Sequence, residues 1–209
     1  MTNFKYDVLN ISKYFIRNHY IFRNLSLSFT NGNIIAITGA NGSGKSTLLK
    51  VMTGVLSFSS GNIKVIKDGL DIHVSNLKED IAMVSPYLNL YEEFTPYEHY
   101  KISADLRGIK FDENKLDKLL QLFKLRPHKN SPIRNFSSGM KQRMKFILAL
   151  QSNPTILFLD EPTSNLDADG IESINKIIIE HAANGGAVII ATNEEREKSL
   201  CSICYEVTS

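Results

Sequence analysis

The chain has 209 residues, a length typical of one domain and at most of two. Its 24 basic and 22 acidic side chains leave a formal net charge of +2, so no nucleic-acid partner and no bulk attraction to an anionic membrane are expected. With 43% hydrophobic and 22% charged residues, the composition is typical of a folded globular protein that needs neither disulfides nor a structural metal.

The first third of the chain predicts two strands and a helix. Leu25, Leu27 and Phe29 alternate with serines, a pattern typical of a half-exposed antiparallel strand. The β-branched run at residues 34–38 predicts a buried strand. Residues 46–53 follow it with apolar side chains at helical spacing, and a glycine comes directly after them.

A strand–helix–strand unit is predicted towards the C-terminus. Residues 156–159 and 187–192 are apolar runs introduced by turn residues, and residues 170–183 carry isoleucines along one helical face. Two parallel strands joined in this way form a right-handed crossover. Together with the strand at 34–38, this unit indicates an α/β fold with a mainly parallel sheet.

The middle of the chain, residues 87–150, contains no convincing strand pattern. Leucines recur at helical spacing after Asp112, and a further helix is predicted to begin near Ser137. We therefore predict one domain that covers the whole chain. Its core, residues 1–86 and 151–209, includes an N-terminal antiparallel β subdomain, and a helical subdomain is inserted between the two parts of the core.

A glycine-rich segment joins the strand at 34–38 to the helix after it and satisfies the pattern GxxxxGK[ST]. Between a strand and a helix, such a loop turns its backbone N–H groups towards phosphate oxygens. Lys45 is predicted to reach the β- and γ-phosphates of a nucleotide, and Ser46 to supply a hydroxyl to Mg²⁺. The predicted phosphate loop consists of Gly39, Ala40, Asn41, Gly42, Ser43, Gly44, Lys45, Ser46 and Thr47.

Two acidic residues, Asp160 and Glu161, end the buried strand at 156–159. An aspartate at the carboxyl end of such a strand, beside a phosphate loop, is placed to hold Mg²⁺ directly or through water. Glu161 would then lie on the γ-phosphate side, where a carboxylate can polarise an attacking water. The pair therefore predicts a nucleotide-hydrolysing site.

A third motif makes the family resemblance specific. The segment Phe136-Ser137-Ser138-Gly139-Met140 is similar to the signature LSGGQ, and its Ser137 lies 23 residues before Asp160. With the phosphate loop and the Asp-Glu pair, it makes essentially the whole chain resemble the nucleotide-binding domain of an ABC (ATP-binding cassette) ATPase, which has a P-loop NTPase core. The compact length is similar to that of the small export-type subunits of ABC transporters.

The resemblance implies ATP and Mg²⁺ as cofactors and a head-to-tail pair of subunits. Ser137 and the backbone N–H groups of Ser138 and Gly139 would contact the γ-phosphate that a partner holds. Asp167, which matches the D-loop of the family, would contact the other subunit. The partner would be a second copy of this chain in a homodimer or another ABC subunit in a heterodimer.

The resemblance also implies an aromatic ring stacked on adenine. Phe15, which lies 24 residues before Gly39, matches that ring, and the neighbouring Tyr14 is the alternative. A role in the protein core is open for either side chain.

Two residues that the family normally has are replaced. Pro86, with Ser85 beside it, stands where a glutamine is normally found at the entrance to the helical subdomain, and Asn193 stands where the family has a histidine. Proline lacks an amide donor, and asparagine can hydrogen-bond a γ-phosphate but cannot titrate. We therefore expect ATP binding and dimerisation to be kept, with Asn193 at the γ-phosphate and slow turnover.

The resemblance implies an ATPase subunit that powers a membrane transporter whose permease is a separate polypeptide. Residues 87–100 are rich in aromatic side chains and predict either a permease-docking groove between core and helical subdomain or an ordinary core. The alternatives are a soluble non-transport ABC ATPase and a nucleotide-gated module with very slow hydrolysis. We expect a cytoplasmic protein, peripheral on the cytoplasmic face of the membrane, because no long apolar stretch or secretory signal is present. Cys201 and Cys204 are expected to be reduced thiols.

Overall fold

The computed structural model describes residues 3–17 and 19–208. Within these residues the strands are β1 Phe4–Ile16, β2 His19–Thr30, β3 Ile34–Thr38, β4 Ser60–Lys67, β5 Leu70–Ile72, β6 Ile81–Val84, β7 Ile156–Asp160, β8 Ala187–Ala191 and β9 Ile203–Glu206. The α-helices are α1 Lys45–Met52, α2 Pro96–Arg107, α3 Glu113–Leu122, α4 Ser138–Ala149, α5 Ala168–Ala183 and α6 Glu195–Lys198, and short 3₁₀ helices occur at Val74–Asn76, Arg126–His128, Ile133–Asn135 and Leu150–Ser152.

Five parallel strands form the central sheet, in the order β6-β7-β8-β3-β9. Every residue of β7 and β8 is buried, because helices and the second sheet cover both faces. The register pairs Ile156 with Ala187 and Ile34 with Val188. Since parallel strands share one carboxyl edge, the loops after β3, β6, β7 and β8 all begin at that edge.

A second sheet of four antiparallel strands, in the order β2-β1-β4-β5, packs beside the first. Tyr6 and Phe29 stack across β1 and β2 with ring centroids 4.8 Å apart. Both rings also make edge contacts with Phe158 of the parallel sheet, at 6.5 Å. These aromatic contacts join the two sheets in one hydrophobic core.

Helices α2, α3 and α4 lie between β6 and β7 in the chain and form the helical insert. Thr95 and Glu98 form a capping box at the start of α2, and Asp112 caps α3 by accepting a hydrogen bond from the Lys115 N–H. A second hydrophobic cluster, which includes Leu116 and the apolar face of α4, packs the insert against the parallel sheet.

The sequence-based prediction of the fold class is confirmed: the chain has a P-loop α/β core, an antiparallel sheet and inserted helices. The helix predicted from residue 170 begins two residues earlier, at Ala168, because the side chain of Asp167 caps it. Cys201 and Cys204 are free thiols. None of the helices in the described residues is both long and apolar enough to cross a membrane.

Candidate functional site

The glycine-rich loop after β3 adopts a conformation that only glycine accommodates well. Gly39, Gly42 and Gly44 have φ angles of 140°, 84° and 99°. A Cβ added at Gly44 would lie 2.4 Å from Ile21 Cγ2, and one at Gly39 would lie 2.5 Å from the carbonyl oxygen of Val207. The close packing of the loop against β2 and the end of β9 therefore fixes its path.

Lys45 begins α1 directly after this loop, and only 7% of it is exposed. Its Nζ donates hydrogen bonds to the carbonyl oxygens of Gly39 at 2.8 Å and Ala40 at 3.3 Å. The ammonium is thus folded back over the loop. It faces a cavity of about 450 Å³ lined by Ile21, Asn41, Gly42, Gly44, Lys45, Ser46, Thr47, Tyr87 and Glu161.

Asp160, the last residue of β7, is 2% exposed, and both its carboxylate oxygens are hydrogen-bonded. Ser46 Oγ lies 3.0 Å from Oδ1, and Ser85 Oγ lies 3.1 Å from Oδ2. Ser46 belongs to the phosphate loop and lies in the first turn of α1, whereas Ser85 follows β6. Carboxylate and hydroxyl oxygens are hard ligands of the kind that Mg²⁺ prefers, so the donor set fits this ion.

Glu161 follows Asp160 in the left-handed region, with φ 46°. Its backbone N–H donates to the carbonyl oxygen of Ala191 at 3.0 Å, and its exposed side chain lines the cavity at the phosphate loop. A non-glycine residue with positive φ is uncommon and concentrates at functional sites. At this turn the side chain of Glu161 is exposed, whereas that of the preceding Asp160 is buried.

Asn193 follows β8 at the same sheet edge. Its Nδ2 donates to Asn41 Oδ1 at 3.0 Å, which joins the loop after β8 to the phosphate loop. Asn193 also lines a neighbouring cavity of about 380 Å³ that Asn41 and Glu161 share. Four of the predicted residues, namely Lys45, Asp160, Glu161 and Asn193, therefore meet at the carboxyl edge of the parallel sheet.

The signature-like segment lies at the start of α4. Ser137 is its N-cap and accepts a hydrogen bond from the Met140 N–H at 3.2 Å. Ser137 and Ser138 are exposed, and Gly139 packs so closely that an added Cβ would lie 3.0 Å from the carbonyl oxygen of Asn165. Neither cavity at the phosphate loop is lined by this segment.

Comparison with known proteins agrees with this geometry. The family model described as "ABC transporter" matches residues 22–164, which include the phosphate loop, the signature-like segment and Asp160. The chain belongs to the ABC transporter ATP-binding family.

Individual relatives match most of the length of this ABC ATPase. The uncharacterized ABC transporter ATP-binding protein YybJ of Bacillus subtilis is 29% identical over 202 residues, which are 96% of this chain and 91% of that protein. The lantibiotic transport ATP-binding protein SrtF of Streptococcus pyogenes is 32% identical over 83% of this chain and 73% of its own length. A dimeric ATP-binding cassette in a post-hydrolysis state with ADP and phosphate has the same fold, with a TM-score of 0.84, 23% identity, and coverage of 97% of this chain and 94% of the other.

In this ABC ATPase, Asp167 makes contacts with residues of its own chain. It caps α5 by accepting a hydrogen bond from the Gly170 N–H at 2.9 Å, and it pairs with Arg143 of α4. The Gly170 N–H first, and Arg143 second, lower the pKa of the Asp167 carboxyl. Its side chain nevertheless stays 68% exposed, so a face of it is open to solvent.

The two aromatic candidates for adenine stacking have different surroundings. Phe15 is 64% exposed, and Lys13 Nζ lies 4.8 Å from its ring centroid. Tyr14 is half-buried and packs edge-on against Tyr20, with centroids 5.5 Å apart. Phe15 is thus the ring with a free face, although it does not line the phosphate-loop cavity.

Sequence reasoning missed three side chains that support the site. Buried Glu197 of α6 accepts hydrogen bonds from the N–H and Oγ1 of Thr163, at 3.0 and 2.5 Å, just after the Glu161 turn. Gln142 of α4 donates to the carbonyl oxygen of Pro162 at 3.1 Å. The third, Lys145, contacts the segment after β6. These partners lie 20 to 60 residues apart in sequence, and no local pattern indicates such contacts.

Proposed function

We propose that this ABC ATPase binds Mg-ATP at the phosphate loop and hydrolyses it to power a membrane permease on a separate chain. The observation that carries the proposal is the contact between Ser46 Oγ and Asp160 Oδ1 at 3.0 Å, beside the buried Lys45. It joins the phosphate loop to an acidic strand end at one sheet edge, the arrangement that a metal–triphosphate substrate requires.

Each residue has a distinct proposed role at this edge. Lys45 binds the β- and γ-phosphates in place of the carbonyls it now contacts, and the loop from Gly39 to Thr47 wraps the phosphate oxygens. Ser46 and Asp160 hold Mg²⁺, which when bound neutralises charge on the phosphate oxygens. Glu161 accepts a proton from the attacking water, because its side chain lines the same cavity.

The proposed active unit is a head-to-tail pair of subunits. Ser137, Ser138 and Gly139 begin a helix of 12 residues, so their N–H groups and the helix N-terminus favour an anion. Within one chain they line neither cavity at the phosphate loop, which supports a role towards the γ-phosphate of a partner. Asp167, which is open to solvent beside this segment, would contact the same partner. A homodimer and a heterodimer with another ABC subunit both provide this geometry.

A surface for the permease is proposed between the core and the helical insert. An open cavity of about 460 Å³ lies there, bordered by the exposed apolar side chains of Val55 and Leu106, but no residue of the predicted stretch 87–100 lines it. In that aromatic stretch Tyr91 is exposed, Tyr87 is exposed but lines the phosphate-loop cavity, and Tyr100 is 1% exposed and belongs to the core. Docking there would make the protein peripheral on the cytoplasmic face of the membrane.

A nucleotide-gated module with very slow hydrolysis is the second candidate. Two observations favour it: Asn193, which cannot carry charge, contacts Asn41 where the family has a histidine, and Pro86 offers no amide N–H. Both candidates share the ATP-driven pairing. Phosphate release by the purified protein separates them, since the module would release it at a rate near background.

The deciding experiment is Glu161→Gln with Mg-ATP. We expect this variant to accumulate as a dimer in small-angle scattering, because ATP binding is kept while the base is lost. The control is Glu194→Gln, at a neighbouring exposed acid. With Mg-ATP it should accumulate no more dimer than the unaltered protein does. A Glu161→Gln protein that binds Mg-ATP and stays monomeric would contradict the paired mechanism. Co-purification with a membrane protein in mild detergent separates a transporter subunit from a soluble non-transport ABC ATPase.

A further inference from the structure

Lys145 links the helical insert to the segment that follows β6. It lies near the C-terminal end of α4, and its Nζ donates hydrogen bonds to the carbonyl oxygens of Ser85 at 3.1 Å and Pro86 at 2.9 Å. Among the described residues, the ion pairs made by α4 belong to Lys141 and Arg143, whereas the Lys145 Nζ contacts are both with carbonyl oxygens. The two carbonyls are therefore the partners of its charge.

An ammonium group placed in this way is costly unless its partners are well positioned. Burial lowers the pKa of Lys145, which means that the surroundings disfavour its charged form. Two carbonyl dipoles at hydrogen-bond distance offset that cost. The carbonyl oxygens of Ser85 and Pro86 are backbone acceptors that this cationic donor satisfies.

Ser85 continues the link to the nucleotide site. It is 2% exposed, and its Oγ lies 3.1 Å from Asp160 Oδ2, while Ser46 Oγ lies 3.0 Å from Oδ1. The carboxylate is thus held from two sides, by the helix of the phosphate loop and by the segment that leads into the insert. A shift of the Ser85 backbone would therefore change the hydrogen bond between Ser85 Oγ and Asp160 Oδ2.

Ser137, in the signature-like segment, caps the N-terminal end of α4. Lys145 comes eight positions after Ser137, which is about 12 Å along a helix. Because a helix moves as a rigid rod over this length, a displacement at the signature end is transmitted to Lys145 and to the backbone that it holds.

We propose that Lys145 is a positioning residue that couples the helical insert to Asp160 by holding the Ser85–Pro86 backbone. The inference rests on the proposed function in one respect, namely that Asp160 holds magnesium with the nucleotide. Lys145 thus links α4 to the proposed metal site through the Ser85–Pro86 segment, which contains no glutamine.

The test measures how magnesium changes nucleotide affinity. Binding of a non-hydrolysable ATP analogue is titrated at several free Mg²⁺ concentrations and in a chelator, for the unaltered protein, Lys145→Met and Ser85→Ala. We expect each variant to need about fivefold more Mg²⁺ for half of the full effect, with affinity in the chelator within about twofold of the unaltered protein. The double variant should be no worse than the worse single variant, because both changes break one link.

Two further variants separate positioning from charge or stability. Lys145→Arg keeps a cationic donor, so the Mg²⁺ concentration for half of the full effect should stay near that of the unaltered protein. Lys141→Met removes a lysine one turn earlier on α4, where the partner is Glu92, and should leave the requirement unchanged. Chemical denaturation reports any loss of stability in each variant, and Ser85→Ala, the smallest change, tests the link even if Lys145→Met unfolds.

The outcomes distinguish failure of this inference from failure of the proposed function. A magnesium requirement that Lys145→Met and Ser85→Ala leave unchanged would overturn the inference while the proposed function stands. Equal loss of affinity with and without Mg²⁺ would also overturn it, since that result indicates a purely structural lysine. If the unaltered protein shows no magnesium-dependent binding, the proposed function fails and this inference fails with it.

Discussion

Ser46 Oγ lies 3.0 Å from Asp160 Oδ1, although 114 residues separate the two side chains in sequence. They meet because β3 and β7 belong to the same parallel sheet, with β8 between them, and both chains leave it at the same edge. Beside this contact, Lys45 Nζ donates hydrogen bonds to two carbonyl oxygens of its own loop. The fold therefore places the two proposed Mg²⁺ ligands next to each other.

Asp160→Asn should weaken nucleotide binding only when magnesium is present. The amide keeps the shape of the side chain but removes the charge that a divalent cation requires. We expect Mg-ATP affinity to fall at least about tenfold and affinity in a chelator to change little, as measured by calorimetric titration. Asp169→Asn, at an exposed acid paired with Lys124, is the matched control. An unchanged magnesium effect in Asp160→Asn would place the metal elsewhere.

Asn193→His should raise steady-state ATP hydrolysis. Asn193 reaches Asn41 at the edge of the phosphate loop, so an imidazole there could contact a γ-phosphate and carry charge. Phosphate release measures the rate, and Asn193→Ala should lower it or leave it at background. If Asn193→His releases phosphate no faster than the unaltered protein, Asn193 does not limit turnover.

The local patterns of the sequence predicted the elements next to the site better than the contacts that support it. The strand at 34–38 and the glycine-rich loop follow short-range rules, and the structure has them at those residues. Helix α2 was not predicted, because its aromatic and polar residues give a weak apolar stripe although Thr95 caps it well. Contacts such as Glu197 to Thr163 depend on chain topology, which periodicity does not encode.

Glu197→Gln should lower both stability and hydrolysis. Glu197 Oε1 accepts two hydrogen bonds from Thr163, and the amide replaces charge-assisted bonds with weaker neutral ones. We expect a loss of about 1–2 kcal/mol in the free energy of unfolding by urea denaturation. Hydrolysis should fall as well, because Thr163 belongs to the turn that orients Glu161. Glu195→Gln, on the same short helix but exposed, should change neither quantity.

Stability should fall as the pH drops below the ordinary range of histidine. Burial lowers the pKa of both His99 and His181, and His99 Nε2 accepts a hydrogen bond from the Tyr91 N–H. The unfolded chain, with a histidine pKa near ~6.5, therefore takes up protons before the folded chain does. The free energy of unfolding should decrease as the pH falls below ~6.5 and continue to do so down to the lowered pKa values of the folded protein.

Urea midpoints at pH ~7.5 and ~5.5 measure this loss. His99→Gln keeps an acceptor for the Tyr91 N–H without titrating, so it should reduce the difference between the two midpoints. Acidic groups with lowered pKa values, such as Asp167, act only at lower pH and do not interfere. A difference that persists unchanged in a protein altered at both histidines would contradict this assignment.

Gly44→Ala should destabilise the nucleotide-free protein more than Gly42→Ala does. Both glycines have positive φ, so each substitution costs about 1–2 kcal/mol of backbone strain. An added Cβ at Gly42 meets nothing within 4 Å, whereas one at Gly44 would lie 2.4 Å from Ile21 Cγ2. Urea denaturation without nucleotide should therefore show a further loss for Gly44→Ala. Adding Ile21→Ala should recover part of that further loss in Gly44→Ala and recover nothing in Gly42→Ala, because the carbons that it removes include the Cγ2 that an added Cβ at Gly44 would meet.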